Sequence, residues 1–430
     1  MRFIHTADWH LGSQMHDIDR KDETKAFLHW LKNTIIEKNA DTLIVAGDIF
    51  DTANPGVEAR KAYYTFLASL AESCCKNVII TGGNHDSAAM LESSKELLDV
   101  LNIRVVGSVT ALSPKDMCFE LKNENDEACG IAMAVPFVRE LELRNYLLAS
   151  TTLSGRTSVS DGELYPVALK KLYSDVFEAA EKLRSGRKIP VLATGHLYAA
   201  DLEEKVSKKD CDDGTKLIDV RGTLGNVPSG VFPPADYVAL GHIHYSVGVA
   251  KNPSIRYSGS PFVMGFDEAE RPHYVLFGEV EKSSEKESDS LKIEKIETPR
   301  TFLYKRISGT LEEVKVQLEK MQSESETRPK FIEVSYLREN GLNAQEFLED
   351  TIRALPQNYH VASWKVQDAE KFFSENSEGF ESTELKNLDE ETVFRQLILA
   401  KSGLSAESEE GKAALEKFLP LFMQIAGEQE

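Results

Sequence analysis

The sequence predicts an α/β protein built on a parallel β-sheet, followed by a small α+β domain and a pair of helices. Three observations support this. Over the first hundred residues, short apolar runs of strand length alternate with apolar residues at helical spacing. Five such runs along the chain close on a glycine or on a potential metal ligand. From Phe302 the elements shorten and follow the order strand, helix, strand, helix, strand.

Phe3 to Ala7 reads as an extended run ending in Asp8-Trp9-His10, where two ligand types two residues apart share a face. Asp22 to Lys38 places Ala26, Phe27, Trp30, Leu31 and Thr34 at helical spacing. Thr42 to Ala46 then reads as a buried parallel strand closing on Gly47-Asp48. A second helix carries Ala59, Tyr63, Phe66, Leu67 and Leu70, and Val78-Ile-Ile80 leads into Gly82-Gly-Asn-His-Asp86. Alone, that last stretch would be an ordinary turn, because Gly, Asn and Asp all favour turns. Its context argues otherwise. Two right-handed βαβ units in succession bring three strand C-termini to one sheet edge, where open α/β sheets bind ligands. Asp8, His10, Asp48, Asn84, His85 and Asp86 are thereby gathered by topology.

Gly130 to Val135 reads as a further strand and Leu164 to Leu183 as a helix. The strand, glycine, ligand pattern returns where Ile189 to Thr194 runs into Gly195-His196, and Tyr237 to Leu240 into Gly241-His242-Ile243-His244. His5, His16, His29, His273 and His360 follow no such pattern and read as structural or surface residues. Ser207 to Pro228, rich in Lys, Asp and Gly, reads as an exposed loop. His273 to Val280 and Leu291 to Glu297 predict a hairpin with the solvated run Glu281 to Ser290 at its tip. The first domain is expected to span residues 1–299.

In residues 300–370, Leu311, Val314, Leu318 and Met321 form one helical face, and Phe347, Leu348, Ile352 and Leu355 a second. Ile332, Val334 and Tyr336 alternate with Glu333 and Ser335 as in a half-buried strand, and Val361 to Val366 is the last strand. Residues 371–430 hold 13 acidic and 6 basic side chains, a net −7, and open on a low-complexity linker. Two amphipathic helices follow, Glu390 to Lys401 and Glu410 to Ala426. Their apolar stripes need a surface to bury against, either the chain's own body or a partner helix or coiled coil.

Composition narrows the function. Hydrophobic residues at 41% with 28% charged are ordinary for globular proteins. No apolar run approaches the ~20 residues of a membrane helix. Met1-Arg2 leads directly into Phe3 without an apolar signal core, which predicts a cytoplasmic location. Five scattered cysteines lack C-x-x-C spacing and predict reduced thiols. A net charge of −20 argues against holding nucleic acid through the overall field. Any DNA contact must be local, through bound cations, a confined basic patch or a basic partner subunit. The chain has no G-x-x-x-x-G-K-[ST] loop, so ATP-driven work would belong to another chain.

Asp, His and Asn donors suit manganese, iron or zinc at a hydrolytic site. Seven ligands exceed one ion's needs, and a bridging carboxylate at Asp48 would divide them between two ions ~3.5–4 Å apart. Such a pair activates water for in-line attack on phosphorus, with His85 beside the ligands as proton donor to the leaving oxygen.

Asp8-x-His10, Gly47-Asp48-x-x-Asp51, Gly83-Asn84-His85-Asp86, Gly195-His196 and Gly241-His242-x-His244, in this order, resemble the calcineurin-like metallophosphoesterases. Longer stretches, His5 to Gly12, Ala46 to Asp51, Pro234 to His244 and Ser258 to Pro261, resemble a bacterial branch of that family. Its members are nuclease subunits that process DNA ends and hairpins with a coiled-coil ABC ATPase. The resemblance implies layered β-sheets flanked by helices, with residues 300–370 as a capping domain. It implies that Asp8, His10, Asp48 and His244 hold one ion, and Asp48, Asn84, His196 and His242 the other. His85 would be the catalytic acid, Asp86 a residue that orients His85, and Asp51 a further support where other relatives carry a histidine. It also implies manganese, DNA as substrate, a homodimer within a heterotetramer, and ATPase docking through residues 385–430.

Two other functions use the same features. The ligands would equally serve a small phosphomonoester or cyclic nucleotide, and the tail would equally serve a catalytically inert docking scaffold. Every matched ligand position is filled, which weighs against the scaffold.

Overall fold

In a computed structural model of the protein, residues 1–16, 18–110, 112–150, 161–199, 227–282, 290–337, 343–367 and the single residue Lys417 are described. The chain begins with β1 (Arg2–Thr6), α1 (Lys21–Glu37), β2 (Thr42–Ala46), α2 (Val57–Leu70), β3 (Asn77–Thr81), α3 (Ala88–Leu91), α4 (Lys95–Val100) and β4 (Ile103–Val106). β1 to β4 pair in parallel, as the alternation of strand and helix requires. Their apolar runs are continuous because both faces are covered. Ile4, Leu43, Val45, Val78 and Ile80 face a core shared with α1 and α2, while Phe3, Ile44 and Ile79 face a second sheet.

That second sheet is built from β5 (Cys118–Lys122), β6 (Ala128–Met133), β7 (Val191–His196), β8 (Tyr237–Gly241), β9 (Gly248–Val249) and β10 (Asn252–Tyr257), in the order β5-β6-β7-β8-β10-β9. Between β6 and β7 lie α5 (Glu140–Ser150) and α6 (Asp161–Arg184). Leu169, Leu172, Tyr173 and Val176 of α6 enter the core between the elements. Across the sandwich, the rings of Phe3 and Tyr237 are 4.8 Å apart, and His5 Nδ1 lies 2.9 Å from the Tyr237 hydroxyl. β11 (Tyr274–Glu281) returns to pair antiparallel with β1, and β12 (Ser290–Glu297) pairs with β11, completing the first sheet as β12-β11-β1-β2-β3-β4.

A third, parallel sheet contains β13 (Leu303–Gly309), β14 (Lys330–Leu337) and β15 (Tyr359–Gln367), connected through α7 (Leu311–Met321) and α8 (Ala344–Arg353). α7 starts on a capping box, in which Thr310 Oγ1 accepts from Glu313 N and Glu313 Oε2 accepts from Thr310 N. Ile307, Leu311, Val314, Leu318, Ile332, Val334 and Leu348 form a core of this sheet's own. A smaller apolar cluster, Met15, Ile18, Phe266, Phe302 and Tyr304, joins it to the sandwich.

Glu333 and Ser335 depart from the half-buried strand expected there. They are 1% and 0% exposed. β14 is the central strand, so neighbours flank both sides, and Glu333 sits between Arg306 Nε at 3.2 Å and Lys365 Nζ at 2.8 Å. Of the histidines expected to be structural or surface residues, His5 and His273 are buried, which makes them structural. Cys74, Cys75, Cys118 and Cys129 are free thiols, and Cys211 lies outside the described residues. So do the expected loop up to residue 226, the hairpin tip at 283–289 and, Lys417 apart, the two tail helices.

Candidate metal centre

The strand ends of the two facing sheets meet along one rim, and the chain there stays in register after the strands stop pairing. Asp8 N donates to Gly47 O at 3.0 Å, His10 N to Asp48 O at 3.0 Å, and Leu11 N to Ile49 O at 2.9 Å. Continuing the β1/β2 ladder in this way requires unusual backbone. Asp8, His10, Asp48 and His242 have φ of 53°, 42°, 48° and 96°. Such conformations cost of order 1–3 kcal/mol each and persist where the surroundings over-determine them. All four fall on predicted ligands.

The glycines before the ligands allow close approach. A Cβ on Gly47, itself at φ 89°, would lie 2.1 Å from His196 Nδ1, and one on Gly83 would lie 2.1 Å from Asp48 Oδ1. Only a bare backbone lets these loops meet.

Three groups of donors result, each with one donor atom per residue within 4.8 Å of the others. They are Asp8, His10 and His244; His10, Asp48 and His85; and Asp48, His196 and His242. Asp48 belongs to two of them. Its Oδ2 is 3.1 Å from His196 Nε2 and 3.7 Å from His10 Nε2. Asn84 closes the last group, with its Oδ1 3.0 Å from His196 Nε2 and 2.9 Å from His242 Nδ1. All seven predicted ligands are therefore brought together.

The orientation of several rings is fixed from behind. His196 Nδ1 donates to Ala46 O at 2.9 Å, directing Nε2 toward Asp48. Asp8 Oδ1 accepts from His242 N at 2.8 Å, and Asp48 Oδ1 from His85 N at 2.9 Å. His85 Nδ1 donates to Asp51 O at 2.9 Å, so the ring's other proton is exchanged at Nε2. The Asp51 carboxylate lies 3.5 Å from His10 Nδ1 without a hydrogen bond between them.

The Asp86 carboxylate has a different setting from the one expected. Its oxygens accept from Ile49 N and Phe50 N at 3.0 Å each and from Gly83 N at 2.9 Å. It fastens the Asp48 loop to the Asn84 loop, while the hydrogen bond from the His85 ring goes to the Asp51 carbonyl.

The donors fit divalent metal binding. Asp8 Oδ2 and both ring nitrogens of His10 are buried without a hydrogen-bond partner, which is costly unless a ligand satisfies them. Charge points the same way. Burial pushes the Asp8 carboxyl up to about 7, against the pull of His196. Burial would raise Asp48 too, but the attraction of His196 and its hydrogen bond outweigh this and hold it well below the carboxylate range. Burial would lower His196, yet Asp48 holds it up at about 9. A proton on His196 thus supplies positive charge that a metal ion would replace. Among the described residues, every group of three or more His, Cys, Asp or Glu with this geometry lies here.

Fold and site together define a phosphoesterase. The chain belongs to the calcineurin-like phosphoesterase family, whose model matches residues 1–246. It is similar to SbcD, the D component of nuclease SbcCD, of Escherichia coli K12, at 31% identity over 83% of this chain and 81% of that protein. It is also similar to the SbcD proteins of Rhodobacter capsulatus, 31% identical over 64% of this chain and 65% of the relative, and of Bacillus subtilis, 26% identical over 63% of each. No described helix is long and apolar enough to cross a membrane.

Proposed function

We propose that this chain is the nuclease subunit of an SbcCD-type complex and cleaves DNA with two divalent ions, Mn2+ in the active form. As a calcineurin-like phosphoesterase similar to SbcD nucleases, it is a metal-dependent phosphodiesterase. The observation that carries the two-ion reading is the position of Asp48, which shares one donor group with His10 and another with His196 and His242.

In this reading Asp8, His10, Asp48 and His244 hold one ion, and Asp48, Asn84, His196 and His242 the other. When bound, the ions supply a lowered pKa for the attacking water and neutralise charge on the phosphoryl oxygens. The protein's residues do the rest. Asp48 sets the spacing of the two ligand sets. Asp86 holds the Asp48 and Asn84 loops at a fixed separation. His85, its Nδ1 proton held by the Asp51 carbonyl, delivers a proton from Nε2 to the leaving oxygen.

The net charge of −20 fits a subunit that meets DNA chiefly at its ions while a partner holds the duplex. That partner would be an SbcC-type coiled-coil ABC ATPase docked on residues 385–430, in a heterotetramer whose nuclease subunits form a homodimer in the cytoplasm. The chain would act as an exonuclease on double-stranded ends and an endonuclease on single strands and hairpins. Residues 1–299 would form the nuclease domain, 300–370 the capping domain, and 371–430 the linker and docking segment. Incubating labelled hairpin and blunt DNA with Mn2+, with and without the ATPase and ATP, tests the reading. Cleavage of single-stranded and hairpin DNA that the ATPase extends to duplex ends is expected. Intact DNA beside rapid hydrolysis of nitrophenyl phosphate would replace it with a small-molecule phosphoesterase.

A further inference from the structure

Arg20 stands immediately before α1, at a helix boundary where its side chain makes no cap. An N-cap without a side-chain acceptor gives up the usual capping bond, so the residue is not explained by the helix it starts. It is 5% exposed. Its Nε donates to Glu23 Oε2 at 2.7 Å, and the Tyr304 hydroxyl donates to the same oxygen at 3.2 Å. The guanidinium lies 5.3 Å from the Phe262 ring centroid and 5.9 Å from that of Tyr304. Nη1 reaches Ser13 Oγ at 3.5 Å. A buried ion pair is weak support for stability, because desolvation offsets most of the attraction, but it fixes relative position closely.

What this pair fixes is specific. Ser13 N donates to His10 O at 2.9 Å, so one contact of Arg20 leads back to a predicted ligand within three residues. Phe262 N donates to Ser260 Oγ at 3.2 Å, and Ser260 N to His244 O at 3.0 Å, so a second contact leads to another. Tyr304 belongs to β13 of the third sheet. His10 and His244 sit in the same donor group with Asp8. Asp48 and Asn84 are held instead through the Asp86 clamp, and His196 through the Ala46 carbonyl.

We infer that Arg20, Glu23 and Tyr304 form a joint through which the third sheet positions one metal site, that of Asp8, His10 and His244, and not the other. Arg20 and Tyr304 are positioning residues, acting through His10 and His244. The inference rests on the two-ion reading and narrows it: the two ions differ in their dependence on the third sheet.

The test is Mn2+ binding alone, followed by equilibrium dialysis and by electron paramagnetic resonance of the coupled ion pair. Arg20→Lys keeps the charge but loses the planar contact between Phe262 and Tyr304, and Tyr304→Phe removes only the hydroxyl. In each, one Mn2+ is expected to weaken by about 10-fold, the usual penalty for losing support behind a ligand, while the other is unchanged. The coupled signal should then need a higher Mn2+ concentration to appear. Tyr359→Phe removes a hydrogen bond to Glu324 that lies within the third-sheet part of the chain and should leave both sites as they were. If both variants bind two ions as the unmodified chain does, or lose both equally, the joint is refuted. If the unmodified chain itself fails to bind two ions, the two-ion reading fails instead. Circular dichroism of each variant separates loss of fold from loss of metal.

Discussion

Asp86 accepts the backbone N–H of Ile49 at 3.0 Å, joining the loop after β3 to the loop after β2. With Phe50 and Gly83 donating to the same carboxylate, three amides converge on one buried side chain. Burial and repulsion from Asp48 raise its pKa to about 6, while the three amides pull the other way and favour the ionised form. Asp86→Asn is therefore expected to lose more than its charge, because the side-chain amide turns a donor toward donors. A loss of about 2–3 kcal/mol in chemical denaturation is expected, the scale of a hydrogen bond to a charged group. Mn2+ affinity should fall at the Asp48 and Asn84 positions as well. Unchanged denaturation and Mn2+ binding would contradict the clamp.

Gly83→Ala tests the close approach of the same loops. The added Cβ would lie 2.1 Å from Asp48 Oδ1 and 2.3 Å from Asp48 N, so the shared carboxylate must move. Mn2+ affinity should drop by more than about 10-fold with the circular dichroism spectrum retained, measured by dialysis against the unmodified chain.

Two interior histidines set an acid limit on stability. Burial lowers His5 to about 3 and His273 to about 4, from an ordinary value of 6.5. Both are neutral when folded above these values, whereas the unfolded chain takes up their protons below 6.5. Their contribution is thus fully present above pH 6.5 and is lost as the pH falls toward 4, by about 1.4 kcal/mol per histidine per pH unit. Asp8 and Asp86, whose pKa values are raised, slope the opposite way over the same range in the metal-free protein, so the histidine contribution is read by difference. His273→Asn should change the pH dependence of denaturation between pH 7 and 4.5 by about one proton relative to the unmodified chain, and identical profiles would contradict the neutral, buried state.

The ligands are legible in the sequence because each follows a recognisable strand end, and the βαβ order gives those ends a common edge. The need for Gly47 and Gly83 is not legible, because the close approach to His196 and Asp48 crosses between strands far apart in the chain. The left-handed backbone of Asp8, His10, Asp48 and His242 leaves no mark in composition. Adjacency alone makes Asp86 a support for His85, but side-chain direction carries it to the amides of Ile49, Phe50 and Gly83 while the Asp51 carbonyl takes the His85 ring. Glu333 and Ser335 alternate like solvent-facing residues, and only the central place of β14 buries them. Arg20 carries one signal of its own, a cation at the position where a helix cap is usual.

The most direct test of the site is cleavage of an end-labelled DNA hairpin in Mn2+ by the unmodified chain and by His85→Gln, with bound Mn2+ measured in the same samples. The unmodified chain should cut and chelator should stop it. His85→Gln should bind the same amount of Mn2+ and cut at least about 100-fold more slowly, the lower range for loss of a general acid. Equal cutting by the variant would remove His85 from the chemistry, and an uncut hairpin with two Mn2+ bound to the unmodified chain would contradict the nuclease assignment itself.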